Sequence, residues 1–191
     1  MNHSYDKDKL WKVIPSWMND VQAYNWKEIL INQIIWERPS LKVFGQNYII
    51  PRKTGFLGEK GITYRYSGHI HYGLGWPEWF LPLLYLIKEE TNIDFNGCLL
   101  NLYRNGDDRM GWHSDNEIEI DSSKTIASLS LGAKRDFIFK HKSLNLKCKL
   151  SLANGDLLLM LPGCQNKWLH SLPIRRKLEQ SRVNLTFRRY F

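Results

Sequence analysis

The sequence lacks the features of a disulfide-stabilised or membrane-spanning protein. Its three cysteines are odd in number and widely spread, so their spacing indicates neither a disulfide framework nor a thiolate zinc site, and we expect buried thiols. No uninterrupted apolar run approaches the ~20 residues that a transmembrane helix needs, and the polar start is unlike a signal peptide. We therefore expect no membrane partner and an intracellular location, cytoplasmic in a bacterium or nuclear in a eukaryote.

Internal repeats and low-complexity linkers are also absent from the sequence. The chain has 191 residues, 43% of them hydrophobic, which is enough for one substantial core and too little for two ordinary enzyme domains. We therefore predict a single domain and a monomer, without any indication of protein partners. A net charge of +8 would attract polyanions, although many basic proteins bind no nucleic acid.

Two helices are predicted in the first half of the chain. Asn19 could cap a helix that runs to about Trp36. Its approximate apolar stripe is Val21, Tyr24, Ile29 and Ile35. A second helix is predicted from Pro77 to near Thr91. Its buried face is Phe80, Leu83, Leu84 and Ile87. The first forty residues look like an appendage, which could pack against the core or against a nucleic acid.

From Cys98 onward the sequence changes to short β-rich segments separated by glycine or polar turns. The predicted strands are 98–103, 125–131, 136–140, 147–152, 156–161, 168–172 and 182–187. Seven short strands at this spacing are typical of an antiparallel sandwich or jelly roll and unlike a βαβ sheet. The second half of the chain is therefore the predicted catalytic core.

A candidate metal site consists of His113, Asp115 and His170. His113 and Asp115 are two residues apart, so in an extended chain both side chains point to the same side, and His170 lies in a later predicted strand. Two imidazoles and one carboxylate leave metal positions open, as in the non-haem Fe(II) oxygenases that bind oxygen and a bidentate co-substrate. Because a single His-x-Asp is common by chance, these residues could also be surface polar groups in a loop.

Arginines in the last predicted strand strengthen the metal hypothesis. Arg182 and Arg188 are six residues apart and share one face of the strand with Thr186. Buried guanidiniums need anionic partners, and a dicarboxylate such as 2-oxoglutarate would provide one. Asn101 and Tyr103 alternate onto one face of their own strand and offer neutral donors to a co-substrate oxygen, although both could simply be satisfied core residues.

Five motifs lie in the predicted core. They are Asn-Leu-Tyr-Arg-Asn-Gly-Asp-Asp at 101–108, His-Ser-Asp at 113–115, Ser-Leu-Ser-Leu-Gly-Ala-Lys-Arg-Asp-Phe at 128–137, His-Ser-Leu-Pro at 170–173 and Arg-Val-Asn-Leu-Thr-Phe-Arg at 182–188. Together they resemble the AlkB family of oxidative DNA-dealkylation enzymes. Val-Phe-Gly at 43–45, Pro-Arg-Lys at 51–53 and Ile-Thr-Tyr-Arg-Tyr-Ser-Gly at 62–68 resemble the branch that acts on double-stranded DNA. The resemblance covers about Leu41 to Tyr190.

The resemblance implies a double-stranded β-helix core, within a mainly β fold with flanking helices. The core would span about residues 98–191, and residues 1–97 would form an N-terminal helical and hairpin extension for nucleotide recognition. The resemblance also implies that His113, Asp115 and His170 bind Fe(II). The 2-oxoglutarate residues would be Asn101, Tyr103, Arg182, Thr186 and Arg188. With O2, such enzymes hydroxylate an N-alkyl group, which leaves as an aldehyde.

The target base must leave the DNA stack to be oxidised. By the resemblance, Tyr66 and the His113 ring would sandwich it, with Tyr64 nearby. N1-methyladenine and N3-methylcytosine are cationic, so an aromatic face would favour the lesion over the normal base. The alternative interpretation is that both tyrosines belong to an exposed hairpin that packs on the core.

Phe44, between Val43 and Gly45, matches the wedge that fills the gap left by the flipped base, although it could equally be a core anchor. Other basic residues are expected to contact phosphates, or else to lie in solvated loops. They are Arg52, Lys53, Arg175, Arg176 and Lys177.

One position departs from the family pattern, because Asn116 stands where relatives usually have an acidic residue that faces the exocyclic amino group of the base. Glu117 follows it. An amide still accepts a hydrogen bond but lacks the charge that favours a cationic lesion, so lesion preference is expected to change. Three alternatives stay open at this point: the same chemistry on RNA or single-stranded DNA, an inactive nucleic-acid-binding module, and a protein or small-molecule hydroxylase.

Overall fold

Two antiparallel β-sheets form the centre of the protein. The computed structural model describes residues 9–43, 46–66 and 69–191. The strands are β1 Trp11–Ile14, β2 Ser40–Val43, β3 Gln46–Ile49, β4 Lys53–Gly58, β5 Thr63–Tyr66, β6 His69–Tyr72, β7 Gly97–Tyr103, β8 Met110–His113, β9 Ile126–Gly132, β10 Arg135–His141, β11 Lys147–Leu152, β12 Leu157–Met160, β13 Trp168–Leu172 and β14 Arg182–Arg188.

The larger sheet has six strands in the order β1-β12-β9-β14-β7-β4, and the smaller has four in the order β11-β10-β13-β8. Two hairpins, β2–β3 and β5–β6, lie outside these sheets. Strands that are distant in sequence are neighbours in both sheets, as in a jelly roll. The predicted fold class, a mainly β jelly roll with flanking helices, is confirmed. Each of the seven predicted strands is present within one or two residues, whereas β8, which is short and contains a glycine, was not predicted.

Helix α1 covers Asp20–Gln33, and its predicted cap is confirmed, because the Asn19 side chain accepts a hydrogen bond from the backbone N–H of Gln22. The predicted apolar stripe, however, is wrong. Val21, Tyr24, Ile29 and Ile35 are all exposed to solvent, by 39–86%. The buried face consists of Ala23 and Leu30, with Trp26 half-buried between them in sequence. Helix α1 packs against β9 and β14. Its buried face includes a small alanine, which a prediction based on large apolar residues does not identify.

Helix α2 covers Leu81–Thr91 and follows a 3-10 turn at Glu78–Phe80. The predicted buried face is confirmed for Phe80, Leu83 and Ile87, which are fully buried. Leu84 is half-buried and packs against the same core. A short helix α3, Cys164–Lys167, precedes β13. Within the described ranges no helix is long and apolar enough to cross a membrane, and the cysteines are free, with Cys98 and Cys164 buried and Cys148 half-buried.

The segment expected to be an appendage contributes a strand to the large sheet. β1 pairs with β12 along its whole length, and the Trp11 ring stacks on Phe139 with 4.0 Å between ring centroids. Trp168 contacts the same indole edge-on. Later in the first half, β4 pairs with β7. Strand β1, which belongs to the first forty residues, therefore packs against the core.

We predict that Trp11→Ala destabilises the protein by about 3–5 kcal/mol, the usual cost of truncating a large buried aromatic. Tyr24→Ala is the matched control, because Tyr24 is 58% exposed, and this change should shift the free energy of unfolding by less than about 0.5 kcal/mol. Urea denaturation followed by circular dichroism measures both. Equal, small effects would show that β1 contributes little to the stability of the sheet.

Candidate metal centre

His113, Asp115 and His170 lie together at the open edge of a cavity between the two sheets. One possible ligand atom from each residue lies within 4.8 Å of the other two. His113 and His170 are paired opposite one another on β8 and β13, and their ring centroids are 4.1 Å apart. Asp115 follows β8 in a loop, and the extended chain that was assumed between His113 and Asp115 does not continue past His113. Strand pairing therefore places His113 beside His170, and the loop after β8 brings Asp115 close to both.

The two histidines are ready to act as ligands. Nδ1 of His113 lies 2.9 Å from the carbonyl oxygen of Gly111, so Nδ1 carries the proton and the lone pair is on Nε2. Burial lowers the pKa of His170 to about 3, and the neighbouring His113 adds to this effect. His170 is consequently neutral at physiological pH, as a metal ligand must be.

Asp115 has one carboxylate oxygen engaged and one free. Its Oδ2 accepts a bond of 2.9 Å from Nη2 of Arg188. Its Oδ1 has no hydrogen-bond partner in the described part of the chain and lies 3.7 Å from Nε2 of His113. Burial alone would raise the pKa of Asp115, but Arg188 and the two histidines lower it well below its usual range. The residue therefore presents an ionised oxygen beside the histidine nitrogen.

The side chain of Gln165 holds the backbone of the metal loop, the segment after β8 that carries Asp115. The sequence did not suggest this residue. The N–H of Asp115 donates to Oε1 of Gln165 at 2.9 Å, and Gln165 comes from helix α3. No motif spacing connects positions 115 and 165, so only the fold reveals the contact.

Arg182 is buried without an anion beside it. Its Nη2 donates to Oγ of Ser130 at 2.9 Å, and its guanidinium lies over the ring of Tyr103, 5.4 Å from the centroid. Nε and Nη1 form no hydrogen bond with a described residue. No carboxylate among those residues forms an ion pair with the Arg182 guanidinium. Burial lowers the pKa of Arg182 to about 10, so the group is still charged and lacks a counter-ion.

Polar residues line the floor of the cavity. Asn101, Tyr103, Thr186 and Arg188, four of the five residues suggested for the co-substrate, border it. The fifth, Arg182, is not among the lining residues, and its guanidinium lies over the ring of Tyr103. Asn184 borders it too and was missed, although it alternates with Arg182, Thr186 and Arg188 on one face of β14. Its Nδ2 donates to Oγ of Ser128 and to the carbonyl of Leu129, at 2.9 Å each.

These features fit a divalent metal with an anionic co-substrate. Two neutral imidazoles and one ionised carboxylate oxygen offer a three-ligand set with open positions, which suits non-haem iron. The carboxylate at the other end of a dicarboxylate would supply the anion that Arg182 lacks. Buried polar atoms without a hydrogen-bond partner are costly, and such a ligand pair would satisfy those of Asp115 and Arg182 together.

Tyr64 and Glu117 join the metal site to the hairpin β5–β6. The hydroxyl of Tyr64 donates to Oε1 of Glu117 at 3.1 Å, and its ring lies against the Arg188 guanidinium, 5.5 Å from ring centroid to guanidinium carbon. Burial raises the pKa of Tyr64 far above its usual value, so the phenol stays protonated and remains a donor. Because Arg188 also pairs with Asp115, a continuous set of contacts runs from the hairpin to the metal loop.

The other residues predicted to face DNA have different positions. Phe44 and Gly45 lie outside the described residues, while Val43 ends strand β2 and Tyr66 ends strand β5. Three of the basic residues are exposed and accessible to a phosphate. They are Arg175, Arg176 and Lys177. Lys53 is half-buried at the start of β4.

Arg52 does not occupy the surface position that a phosphate contact requires. It is only 4% exposed, and its Nε donates to Oδ1 of Asn101 at 2.7 Å. The charge of this residue suggested a DNA contact, but burial is a property of the fold that charge does not reveal.

Asn116 is exposed next to the metal loop. Its Oδ1 accepts from the hydroxyl of Ser114 at 3.1 Å, and that hydroxyl in turn lies 3.1 Å from the ammonium of Lys142. Because an ammonium can only donate, Lys142, Ser114 and Asn116 form a chain with one direction. The amide nitrogen of Asn116 is then its outward-facing polar atom.

Comparison with known proteins identifies similar sequences and structures. A family model described as the 2OG-Fe(II) oxygenase superfamily matches residues 11–188. The DNA oxidative demethylase ALKBH2 of Mus musculus is 40% identical over 161 residues, covering 78% of this chain and 66% of that protein. ALKBH2 of Arabidopsis thaliana is 33% identical over 195 residues, covering 87% of this chain and 62% of that protein.

The alpha-ketoglutarate-dependent dioxygenase alkB homolog 3 of Mus musculus is 34% identical over 184 residues, covering 88% of this chain and 62% of that protein. This chain thus spans slightly less than two thirds of the relatives that it matches. Among solved structures, OsALKBH1 superposes with a TM-score of 0.64 at 15% identity and covers 94% of this chain and 98% of its own. That likeness concerns the fold.

We predict opposite effects for two buried arginines in the metal-free protein. Arg182→Met removes an unpaired buried cation and should raise the free energy of unfolding by about 1–3 kcal/mol, whereas Arg188→Met leaves Asp115 unpaired and should lower it by about 3–5 kcal/mol. Arg182→Met should also weaken binding of 2-oxoglutarate at least about 100-fold.

Urea denaturation without metal measures the stabilities, and calorimetric titration with Mn(II) and 2-oxoglutarate measures the affinity. A destabilised Arg182→Met variant that still binds 2-oxoglutarate normally would show that Arg182 is a structural residue.

Proposed function

Because the chain belongs to the 2OG-Fe(II) oxygenase superfamily and, within it, to the AlkB family, we propose that it is an iron- and 2-oxoglutarate-dependent DNA demethylase. Its substrates would be bases of the N1-methyladenine and N3-methylcytosine type, and its role direct repair. The observations that carry the dioxygenase part are the three-ligand set and a buried arginine of β14, Arg182, that has no anion among the described residues. The similarity to ALKBH2, a DNA oxidative demethylase by name, supports the substrate.

Each residue of the centre has a proposed role. His113, Asp115 and His170 would hold Fe(II). Arg182 would bind the carboxylate of 2-oxoglutarate remote from the metal, because its guanidinium lies over the ring of the cavity-lining Tyr103 and has no counter-ion among the described residues. Asn101, Asn184 and Thr186 would hold the remaining oxygens of the co-substrate. Arg188 pairs with Asp115, so we assign it the orientation of a metal ligand in addition to any contact with 2-oxoglutarate.

Bound iron and 2-oxoglutarate would supply the oxidising chemistry, in which one atom of O2 enters succinate, formed with CO2, and the other enters a C–H bond of the N-methyl group. The hydroxymethyl product then loses formaldehyde, and the base nitrogen keeps the electron pair of the broken C–N bond. The chain's own residues would orient the base and exclude water. A flipped base would enter beside His113, near Tyr64 and Glu117, which are hydrogen-bonded to each other.

The charge distribution supports a nucleic-acid substrate. The protein carries a net charge of +8, and Arg175, Arg176 and Lys177 form an exposed basic segment, accessible to a phosphate backbone. Asn116 has no negative charge and stands at the end of a chain that begins at an ammonium. A pocket with this rim should favour cationic lesions less than one with a carboxylate at that place.

The first test is loss of a methyl group from a duplex oligonucleotide bearing one N1-methyladenine. With Fe(II), 2-oxoglutarate, ascorbate and air, mass spectrometry should show a loss that requires both the metal and the co-substrate, and His113→Ala should abolish it. Turnover of 2-oxoglutarate without methyl loss would retain the dioxygenase and overturn the substrate. RNA and protein hydroxylation would then become the assays to run.

Preference for duplex DNA rests on the Val-Phe-Gly sequence at 43–45. Phe44→Ala should reduce demethylation in duplex DNA about tenfold or more, because an inserted apolar side chain offsets the loss of stacking when the base leaves the helix. Demethylation of the same lesion in a single strand should change less than about twofold, since no stack has to be refilled. Comparable rates in both substrates for both proteins would remove the wedge and favour single-stranded DNA or RNA.

A further inference from the structure

Arg52 occupies an interior position close to the co-substrate cavity. It lies immediately before β4, and its side chain crosses to Asn101, where Nε donates to Oδ1 at 2.7 Å. Both residues are buried, with exposures of 4% and 6%. Asn101 borders the cavity, so this arginine is one residue removed from the ligand that the cavity is proposed to hold.

A guanidinium only donates hydrogen bonds, and this determines the orientation of the Asn101 amide. The oxygen of the amide must face Arg52, and the NH2 group is left to face elsewhere. In the reverse orientation, the NH2 group would point at a guanidinium, and two donors would be opposed in a buried site. The contact with Arg52 thus makes Asn101 a donor toward the cavity.

A row of polar residues across the large sheet places this donor. Thr54 of β4 is opposite Asn101 of β7, Asn101 is opposite Asn184 of β14, and Asn184 is opposite Ser130 of β9. Ser130 is the residue to which Arg182 donates. Arg52 therefore donates to Asn101 and Arg182 to Ser130, the two residues on either side of Asn184 in this row, and Asn101 and Asn184 border the cavity.

We infer that Arg52 is a positioning residue for 2-oxoglutarate, which holds the Asn101 amide with its NH2 group directed at a co-substrate oxygen. The inference rests on the proposed function, because it needs 2-oxoglutarate in this cavity. It assigns Arg52 to the co-substrate and not to the DNA backbone, for which a side chain at 4% exposure is poorly placed.

Two substitutions separate the hydrogen bond from the charge. In glutamine, Nε2 is attached to Cδ, as Nε is in arginine, so Arg52→Gln keeps a donor at the same point of the side chain and removes the charge. Arg52→Met removes both at similar length. Calorimetric titration with Mn(II) and 2-oxoglutarate should show affinity within about threefold of the original protein for Arg52→Gln and at least about tenfold weaker for Arg52→Met.

A double-mutant cycle tests whether Arg52 acts through Asn101. In an Asn101→Ala background, Arg52→Met should weaken 2-oxoglutarate binding by less than about twofold more. Arg189→Met is the matched control, because the Arg189 guanidinium donates to the carbonyl of Asp94 and lies outside the cavity lining. It should leave the affinity unchanged. Melting temperatures of all variants identify any that do not fold, and Arg52→Gln retains the test if Arg52→Met is among them.

DNA binding by the same variants tests the alternative that Arg52 contacts a phosphate. Affinity for the lesion duplex and its salt dependence should be unaltered in both Arg52 variants, whereas a lost phosphate contact lowers the salt slope by about one. Normal 2-oxoglutarate affinity in Arg52→Met, with weaker DNA binding and a smaller slope, would overturn the inference and make Arg52 a phosphate contact.

The proposed function fails by a different result. An original protein that binds 2-oxoglutarate without demethylating DNA overturns the substrate and leaves the role of Arg52 to be judged by the titrations. An original protein that binds no 2-oxoglutarate overturns both.

Discussion

Strand β14 carries two guanidiniums into the interior of the sandwich, and the rest of the centre is arranged around balancing their charges. Arg188 is balanced by Asp115 at 2.9 Å. Arg182, six residues earlier on the same face, is balanced by nothing that the structure describes. A buried cation without an anion is costly, so a site that keeps one is explained by a ligand that brings the anion with it.

The arrangement links three parts of the proposed chemistry through few contacts. Arg188 touches Asp115, a proposed metal ligand, and the ring of Tyr64, and Tyr64 in turn donates to Glu117. A base entering beside the hairpin β5–β6 would therefore meet groups that are already connected to the metal ligands. Pre-organisation of this kind lowers the reorganisation required when substrate binds.

The sequence could predict those site residues whose surroundings are set by a single strand. It could not predict those whose contacts join several segments of the chain. The alternation of Arg182, Thr186 and Arg188 is a property of one strand. Thr186 and Arg188 border the cavity, and Arg182 lies over the ring of Tyr103, which also borders it. Asn184 obeys the same alternation and was overlooked because an asparagine in a strand carries no distinctive signal. Gln165 and Arg52 could not have been placed, since their contacts join segments about 50 residues apart in sequence.

The same distinction explains which predictions about the fold were wrong. The cap of α1 at Asn19 is local and was predicted correctly, whereas its buried face depends on how the helix lies on β9 and β14, and there a small alanine replaced the expected large side chains. Strand β1 is four residues long, and only its pairing with β12 shows that it belongs to the core.

We propose that one cavity holds a metal at His113, Asp115 and His170 and 2-oxoglutarate beside it. Anaerobic absorption spectroscopy tests this most directly, by adding Fe(II) and then 2-oxoglutarate to the metal-free protein. We expect a visible charge-transfer band that develops only when both are present and saturates at one equivalent of each. Iron binding with no change on adding 2-oxoglutarate would contradict it, because the open metal positions and the unpaired Arg182 would then require another explanation.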